Sequence, residues 1–226
     1  MDEHRTAILS MQVQRTMENL RKNNMLVEYV ATKEEVVPLL SSWIPQGATV
    51  AVGGSVSLFE CGVIDHLGSG RYHFINRYAP NMTPEEAKKV QDDTHLVDTF
   101  LCGSNAITEA GELYNVDGNN TRIGHILNGP RQVIMVVGVN KIVPDLQEAI
   151  YRVKTIAAPA NCRRLKCNTF CAQKGYCASL AGGDKHPPMA SGCTSDDRIC
   201  SGYLVSAYQR AKDRIKIILV GEELGY

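Results

Sequence analysis

The chain has 226 residues, 44% hydrophobic and 21% charged, which is enough apolar material for one α/β domain with an appendage or two very small domains. Its 24 Lys and Arg balance 24 Asp and Glu, which excludes the broad basic footprint of a nucleic-acid binder or of a protein held on anionic lipid. The opening residues mix acids, Gln and Asn with apolar ones, so no signal-peptide core is expected. The longest apolar runs, such as 215–220, are far too short to span a bilayer. The expected location is cytoplasmic, where eight cysteines suit metal or redox chemistry better than a disulfide framework.

In chain order, residues 4–22 read as an amphipathic helix with Ala7, Met11, Met17 and Leu20 on its apolar stripe. A short strand follows at 25–30. Thr32 with Glu35 then forms a capping box for a helix that runs toward Trp43 and stops before Pro45. Residues 48–52 form a compact strand that ends in Gly53-Gly54-Ser55, and a helical pattern continues through Leu58, Cys61, Ile64 and Leu67. The next strand is 72–75. Thr83 with Glu86 caps a helix to about His95, and 97–102 is a strand ending in Gly103-Ser104-Asn105. Residues 112–121, rich in Gly, Asn and Asp, read as turns. The strongest strand is 132–139, and Pro144 and Asp145 open a long helix through Leu146, Ile150 and Val153. Periodicity fades from 158 to 202, and 214–220 returns to an apolar strand. Alternating strands and helices imply an α/β fold with a mostly parallel sheet flanked by helices.

Six of the eight cysteines, Cys162, Cys167, Cys171, Cys177, Cys193 and Cys200, fall in the faded stretch with spacing C-x4-C-x3-C-x5-C-x15-C-x6-C. Such clustering points to a metal. Structural zinc usually draws on short paired knuckles, and no C-x2-C is present here. An all-thiolate iron–sulfur cluster tolerates irregular spacing, with zinc and a redox dithiol as the alternatives. His186 is not needed as a ligand. Arg163, Arg164, Lys166 and Arg198 would favour thiolates, or be solvated surface charge. Cys61 and Cys102, in apolar patterns, read as small core residues.

Two glycine loops end strands. In the first, Gly53, Gly54, Ser55 and Ser57 could offer backbone and hydroxyl donors to an anion at a helix start, or form a plain turn with Ser55 as an N-cap. The second runs from Gly103 through Ser104, Asn105, Thr108 and Glu109. Loops at the carboxyl ends of parallel strands line ligand crevices. Lys141 stands at the same edge, as a cation for an anionic ligand or as an exposed residue. Asp117, Asn119 and Asn120 read as turn formers.

The segments GGSVSLFECGVIDHL, LCGSNAITEAGELYNVDGNNTRIGHILNGPRQVIMVVGVNKIV, CRRLKCNTFCAQKGYC and SDDRIC together resemble the LUD domain family, the group that includes the lactate utilisation protein C type, over about residues 10–205. The resemblance implies a fold similar to the sugar-phosphate isomerase and CoA-transferase-like α/β fold. It divides the chain into an N-terminal helix (1–24), a LUD-like α/β domain (25–158), a Cys-rich metal-binding segment (159–203) and a C-terminal helix or strand returning to the domain (204–226). It also implies a 4Fe–4S cluster on Cys171, Cys177, Cys193 and Cys200. Phe170 replaces the family's usual Pro, and fifteen residues separate Cys177 from Cys193 where the family has two. Either the loop 178–192 is an insertion or Cys162 and Cys167 take over a ligand role.

The expected function is then a redox accessory component in oxidation of lactate or another 2-hydroxy acid. It would bind a small anionic ligand and exchange electrons with an iron–sulfur partner subunit, and homo-oligomers are allowed. Two other readings stand beside it. One is an enzyme of the isomerase or CoA-transferase-like type, with Glu60 or Glu109 as base or nucleophile for a phosphorylated or CoA-linked substrate. The other is a zinc-stapled ligand-binding module.

Overall fold

The computed structural model describes residues 2–83, 85–86, 88, 90 and 94–226. Its strands, in chain order, are β1 (Leu26–Val30), β2 (Thr49–Val52), β3 (His73–Ile75), β4 (Thr99–Cys102), β5 (Ala106–Thr108), β6 (Leu113–Asp117), β7 (Gln132–Gly138), β8 (Ile142–Val143), β9 (Gly202–Ser206) and β10 (Ile215–Val220). The helices are α1 (Glu3–Lys22), α2 (Val36–Trp43), α3 (Val56–Glu60), α4 (Val63–Leu67), α5 (Thr121–Leu127), α6 (Leu146–Arg152), α7 (Ala158–Arg164) and α8 (Phe170–Lys174).

Six strands form an entirely parallel sheet in the order β1–β10–β7–β4–β2–β3. Parallel strands covered on both faces read as unbroken apolar runs. That is why β7 and β10 carry Val133–Val137 and Ile217–Val220 at 0% exposure. On one face α2, α3 and α4 bury Leu40, Leu58 and Val63 against Val50, Leu101, Ile134 and Ile218. On the other, Val13 and Leu20 of α1 and Ile126 of α5 cover Phe100, Met135 and Ile217. The α/β class expected from the alternation of elements is the one adopted, and the last strand returns to the sheet between β1 and β7.

A second sheet, β8–β5–β6–β9, was not foreseen. Its β5–β6 and β6–β9 pairs are antiparallel and its β5–β8 pair is parallel. The stretch 112–121, expected to be turns, holds β6, and the loop after Gly103 holds β5. Their Asn, Gly and Asp content hides strands whose residues are nevertheless buried against a third core of Ala106, Tyr114, Ile150 and Val153.

Two further expectations are corrected. In α1, Ala7 and Met11 face solvent, and the buried side is Val13, Thr16 and Leu20. Only the C-terminal half of this helix packs. There the turn at Gly111 (φ +82°) comes so close that a Cβ would lie 2.7 Å from the Leu20 nitrogen. Helical structure also does not end near 158. A π-helical turn at Val153–Ala157 joins α6 to α7. Pro159 lacks an N–H and its ring crowds the carbonyl four residues back, and a widened turn relieves both.

Both capping boxes are present. Glu35 accepts from the Thr32 and Ala31 nitrogens at 3.0 and 2.7 Å, and Glu86 and Thr83 bond reciprocally at 2.8 and 3.2 Å. Part of the helix expected to run from Thr83 to His95 lies outside the described residues. Among the described residues no helix is long and apolar enough to cross a membrane.

Because Ile218 is buried in a strand paired on both sides, Ile218→Ala should cost about 2–5 kcal/mol, read as a lower urea midpoint with an unchanged slope.

Candidate metal centre and adjoining anion crevice

Cys171, Cys177, Cys193 and Cys200, though 29 positions apart from first to last, line one small cavity of about 20 Å³. Cys171 lies in α8, whose N-cap Thr169 accepts from the Ala172 nitrogen, while the Thr169 hydroxyl sits 3.4 Å from Cys171 Sγ. Cys177 follows α8, and its backbone nitrogen donates to the Lys154 carbonyl at 2.8 Å. The other walls are Tyr114, Val153, Ala158, Met189 and Tyr203. Among the described residues no imidazole or carboxylate lines the cavity. Among the described residues no three His, Cys, Asp or Glu side chains are gathered closely enough to hold a single metal ion.

The fifteen-residue interval between Cys177 and Cys193 is closed by specific bonds. Buried Lys154 donates from Nζ to Ser179 Oγ at 3.1 Å and to the Ser191 carbonyl, and Ser179 Oγ donates to Cys177 Sγ at 3.3 Å. Arg198 donates to the carbonyls of Ala190 (2.7 Å), Cys193 (3.0 Å) and Cys200 (2.9 Å) and to the Tyr203 hydroxyl (2.8 Å). Asp197 accepts from the Asn168 nitrogen at 2.7 Å and Ser195 donates to the Asn168 carbonyl at 2.7 Å. The SDDRIC segment is therefore a clasp that ties the last cysteine to the start of α8.

Cys162 is buried next to Cys171, and burial with the neighbouring Cys171 thiol pushes its pKa up to about 12. Neither Cys162 nor Cys167 lines the cavity. His186 is exposed in the loop. Arg163 and Lys166 are exposed, and Arg198 serves carbonyls, so the cation beside the thiols is Lys154, which no sequence motif marked. Burial raises Cys61 to about 11 and Cys102 to about 12, as expected of inert core thiols.

The second feature is a crevice of about 350 Å³ where adjacent strands β2 and β4 end. From β2 the chain crosses to β3 through α3 and α4 on one face. From β4 it crosses toward β7 through α5 on the other. Strands whose connections diverge in this way open a gap at their carboxyl ends. Gly54, Ser55, Gly103, Ser104, Asn105 and Lys141 line it, together with Arg77, Arg122, Arg164 and Tyr226. Gly103 is required here, since a Cβ would come 2.9 Å from Ser55 Oγ.

Arg122 donates to the Gly103 carbonyl (3.0 Å), Asn115 Oδ1 (2.5 Å), Asn105 Oδ1 (2.7 Å) and the Val116 carbonyl (2.8 Å). Lys141 is 3% exposed and donates to Ser57 Oγ at 3.2 Å. Burial, then Arg152 and Arg122, lower its pKa from 10.5 to about 7, and Glu60 and Cys61 oppose this more weakly. The Tyr226 hydroxyl is buried without a hydrogen-bond partner among the described residues. The ion pairs among the described residues, Arg15–Glu109 and Arg131–Asp98, lie elsewhere. The one side-chain carboxylate among the described residues of the crevice wall, Asp117, accepts from the Asn119 and Arg122 backbone nitrogens. An excess of unpaired, partly desolvated cations is stabilised by a bound anion.

Several expected site residues lie elsewhere. Thr108 is buried in β5, bonded to Glu112. Glu109 faces α1, held below the usual carboxylate range: burial works to raise it, but bonds from Gln12 and Arg15 outweigh that. Glu60 is exposed and accepts from the Gly225 nitrogen at 2.7 Å. Gly53 is tied to the Leu101 carbonyl beneath the crevice. Helix α3 has only five residues and its Ser55 makes no side-chain cap, so charge comes from side chains rather than from a helix start. Arg77, Arg122, Arg164 and Tyr226 were missed because they come from four separate segments.

A family model described as LUD domain matches residues 13–220. A crystal structure of a DUF162 family protein from Deinococcus radiodurans aligns over 94% of this chain and 98% of its own, with 14% identity and a TM-score of 0.51, a likeness of fold. Ribose 5-phosphate isomerase from Plasmodium falciparum aligns over 50% of this chain and 52% of its own, at 16% identity and a TM-score of 0.31. No curated protein matches the sequence.

Lys141's lowered pKa means its burial penalty is full below about pH 7 and relieved as pH rises toward 10.5. A bound anion favours the ammonium form. Oxalate should therefore raise the melting temperature more at pH 6 than at pH 8.5 in a thermal-shift assay, and Lys141→Met should remove that difference.

Proposed function

We propose that this chain, which belongs to the LUD domain family, holds a 4Fe–4S cluster on Cys171, Cys177, Cys193 and Cys200. It would serve as a redox accessory component in oxidation of lactate or another 2-hydroxy acid. The observation that carries this reading is that these four thiols, and among the described residues no His, Asp or Glu side chain, line one cavity. The donor set fits such a cluster. It is all-sulfur, the Ser179 and Thr169 hydroxyls lie within bonding distance of Cys177 and Cys171 sulfurs, and Lys154 brings positive charge to the wall. When bound, an iron–sulfur cluster supplies one-electron exchange, here with an iron–sulfur partner subunit.

The chain's own residues have separable tasks. Arg198, Ser195 and Asp197 fix the loop that returns Cys193 and Cys200 to Cys171. In the crevice, Arg122 and Lys141 offer charge to a carboxylate, with Arg77 and Arg164 adding to the field. The two sites share a wall. Ala157 and Ile199 face the crevice, while their neighbours Ala158 and Cys200 face the thiols. An acid in the crevice would thus sit one layer of backbone from a cysteine.

The other readings have less support. Structural zinc usually draws on cysteines two to four residues apart, and Cys171, Cys177, Cys193 and Cys200 are spaced more widely than that. Isomerase or CoA-transferase chemistry needs a carboxylate facing the substrate. Glu60 and Glu109 face elsewhere, and Asp117 is committed to backbone nitrogens.

Protein purified without oxygen should contain about four irons and four acid-labile sulfides per chain and show a visible shoulder that bleaches on reduction. Serine at Cys171, Cys177, Cys193 or Cys200 should abolish the shoulder, whereas Cys162→Ser and Cys167→Ser should keep it. One zinc per chain without sulfide would sink the redox reading.

A further inference from the structure

The crevice contains more than an anion site requires. Two arginines and a charged lysine would suffice to hold a carboxylate, and guanidinium suits that task better than ammonium. Lys141 is instead buried beside Arg122 and Arg152, with no carboxylate pairing it, which is how proteins turn a lysine from a charge into a nucleophile. Its hydrogen bond to Ser57 uses one N–H and leaves a neutral amine's lone pair free. The groups acting on it are Arg152 from α6, Arg122 from α5, Glu60 from α3 and the Cys61 thiol just beyond it. Glu60 is occupied by the Gly225 nitrogen. Tyr226 places a buried hydroxyl with no partner among the described residues against the same crevice.

We propose that Lys141 condenses with the carbonyl of a small 2-oxo acid seated in the crevice, forming an imine. The substrate class follows from the site. The rim arginines Arg77 and Arg164 take the carboxylate while Arg122, whose terminal N–H groups are already bonded, adds positive charge, and the adjacent carbonyl is the group an uncharged amine attacks. The Lys141 nitrogen bonds to the carbonyl carbon, and the carbonyl oxygen, having gained two protons, leaves as water. Those two protons balance the two that the amine gives up, and no electrons are transferred. Ser57 orients the amine. The inference rests on the crevice being an acid site. It extends that reading, because a 2-oxo acid is the oxidised counterpart of a 2-hydroxy acid.

The test is reductive trapping. The full-length protein is incubated with pyruvate and sodium cyanoborohydride at pH 7.5, then analysed by intact mass and peptide mapping. A lowering from 10.5 to about 7 gives Lys141 about a thousand-fold larger neutral fraction than a surface lysine. One carboxyethyl adduct per chain, mapped to Lys141, suppressed by excess oxalate and absent in Lys141→Arg, supports the proposal. Mapping on the wild-type chain decides the matter even if the variant folds poorly. No adduct, or adducts spread over exposed lysines and unaffected by oxalate, overturns it. If oxalate still stabilises the protein while no adduct forms, imine formation is overturned and the acid site stands. If oxalate has no effect either, both fall. Iron content measured on the same preparation separates these outcomes from failure of the cluster reading.

Discussion

The guanidinium of Arg122 is the interaction on which the two-sheet arrangement turns. Its four hydrogen bonds reach the end of β4, the loop that follows, and β6. It thereby fixes the second sheet against the carboxyl edge of the first. All four acceptors are neutral, so the positive charge is solvated by dipoles without being cancelled. A carboxylate in that position would have neutralised it and closed the crevice. The same residue therefore sets the joint between the sheets and gives the gap its charge.

Around that joint the chain makes its two departures from the main sheet. After β4 it passes through Gly103-Ser104-Asn105 into β5, and after β7 through Val139–Lys141 into β8. The polar side chains of the first connection are used in holding walls. Ser104 donates to the Ala106 carbonyl, and Asn105 Oδ1 accepts from Arg122 and the Val116 nitrogen. That leaves Lys141 and the arginines to face whatever enters.

The cysteine segment is organised by the same second sheet. Tyr114 of β6, Tyr203 of β9 and the π-helical turn before α7 supply its walls, and Pro159 accounts for that turn. The turn also puts Ala157 toward the crevice and Ala158 toward the thiols. Chain closure over the long interval between Cys177 and Cys193 carries an entropic cost that grows only slowly with length. The bonds from Lys154 and Arg198 offset it, with only a single 3-10 turn at Ala178–Leu180 in the loop.

Much of this was legible in the residues alone. Burial on both faces makes parallel strands continuous apolar runs, so β7 and β10 announced themselves, and the capping boxes at Thr32 and Thr83 are local chemistry that any context preserves. The motif ending in Cys200 singled out four cysteines by resemblance, and the fold brings those four to one cavity. What stayed hidden depends on contacts between distant segments. β5 and β6 look like turns because their stability comes from burial against α6 rather than from their own composition. Glu109 looked like a site residue until α1 packed beside it. Arg77, Arg122, Arg164 and Tyr226 join Lys141 in the crevice only because β2 and β4 send the chain in opposite directions. The sequence by itself determined the main-sheet strands, the capped helices and the cysteine-rich segment, because hydrophobic period, capping and clustering are written in neighbouring residues. Tertiary structure alone decided which cations lost their water and their partners, because desolvation belongs to the packed arrangement and not to any single segment.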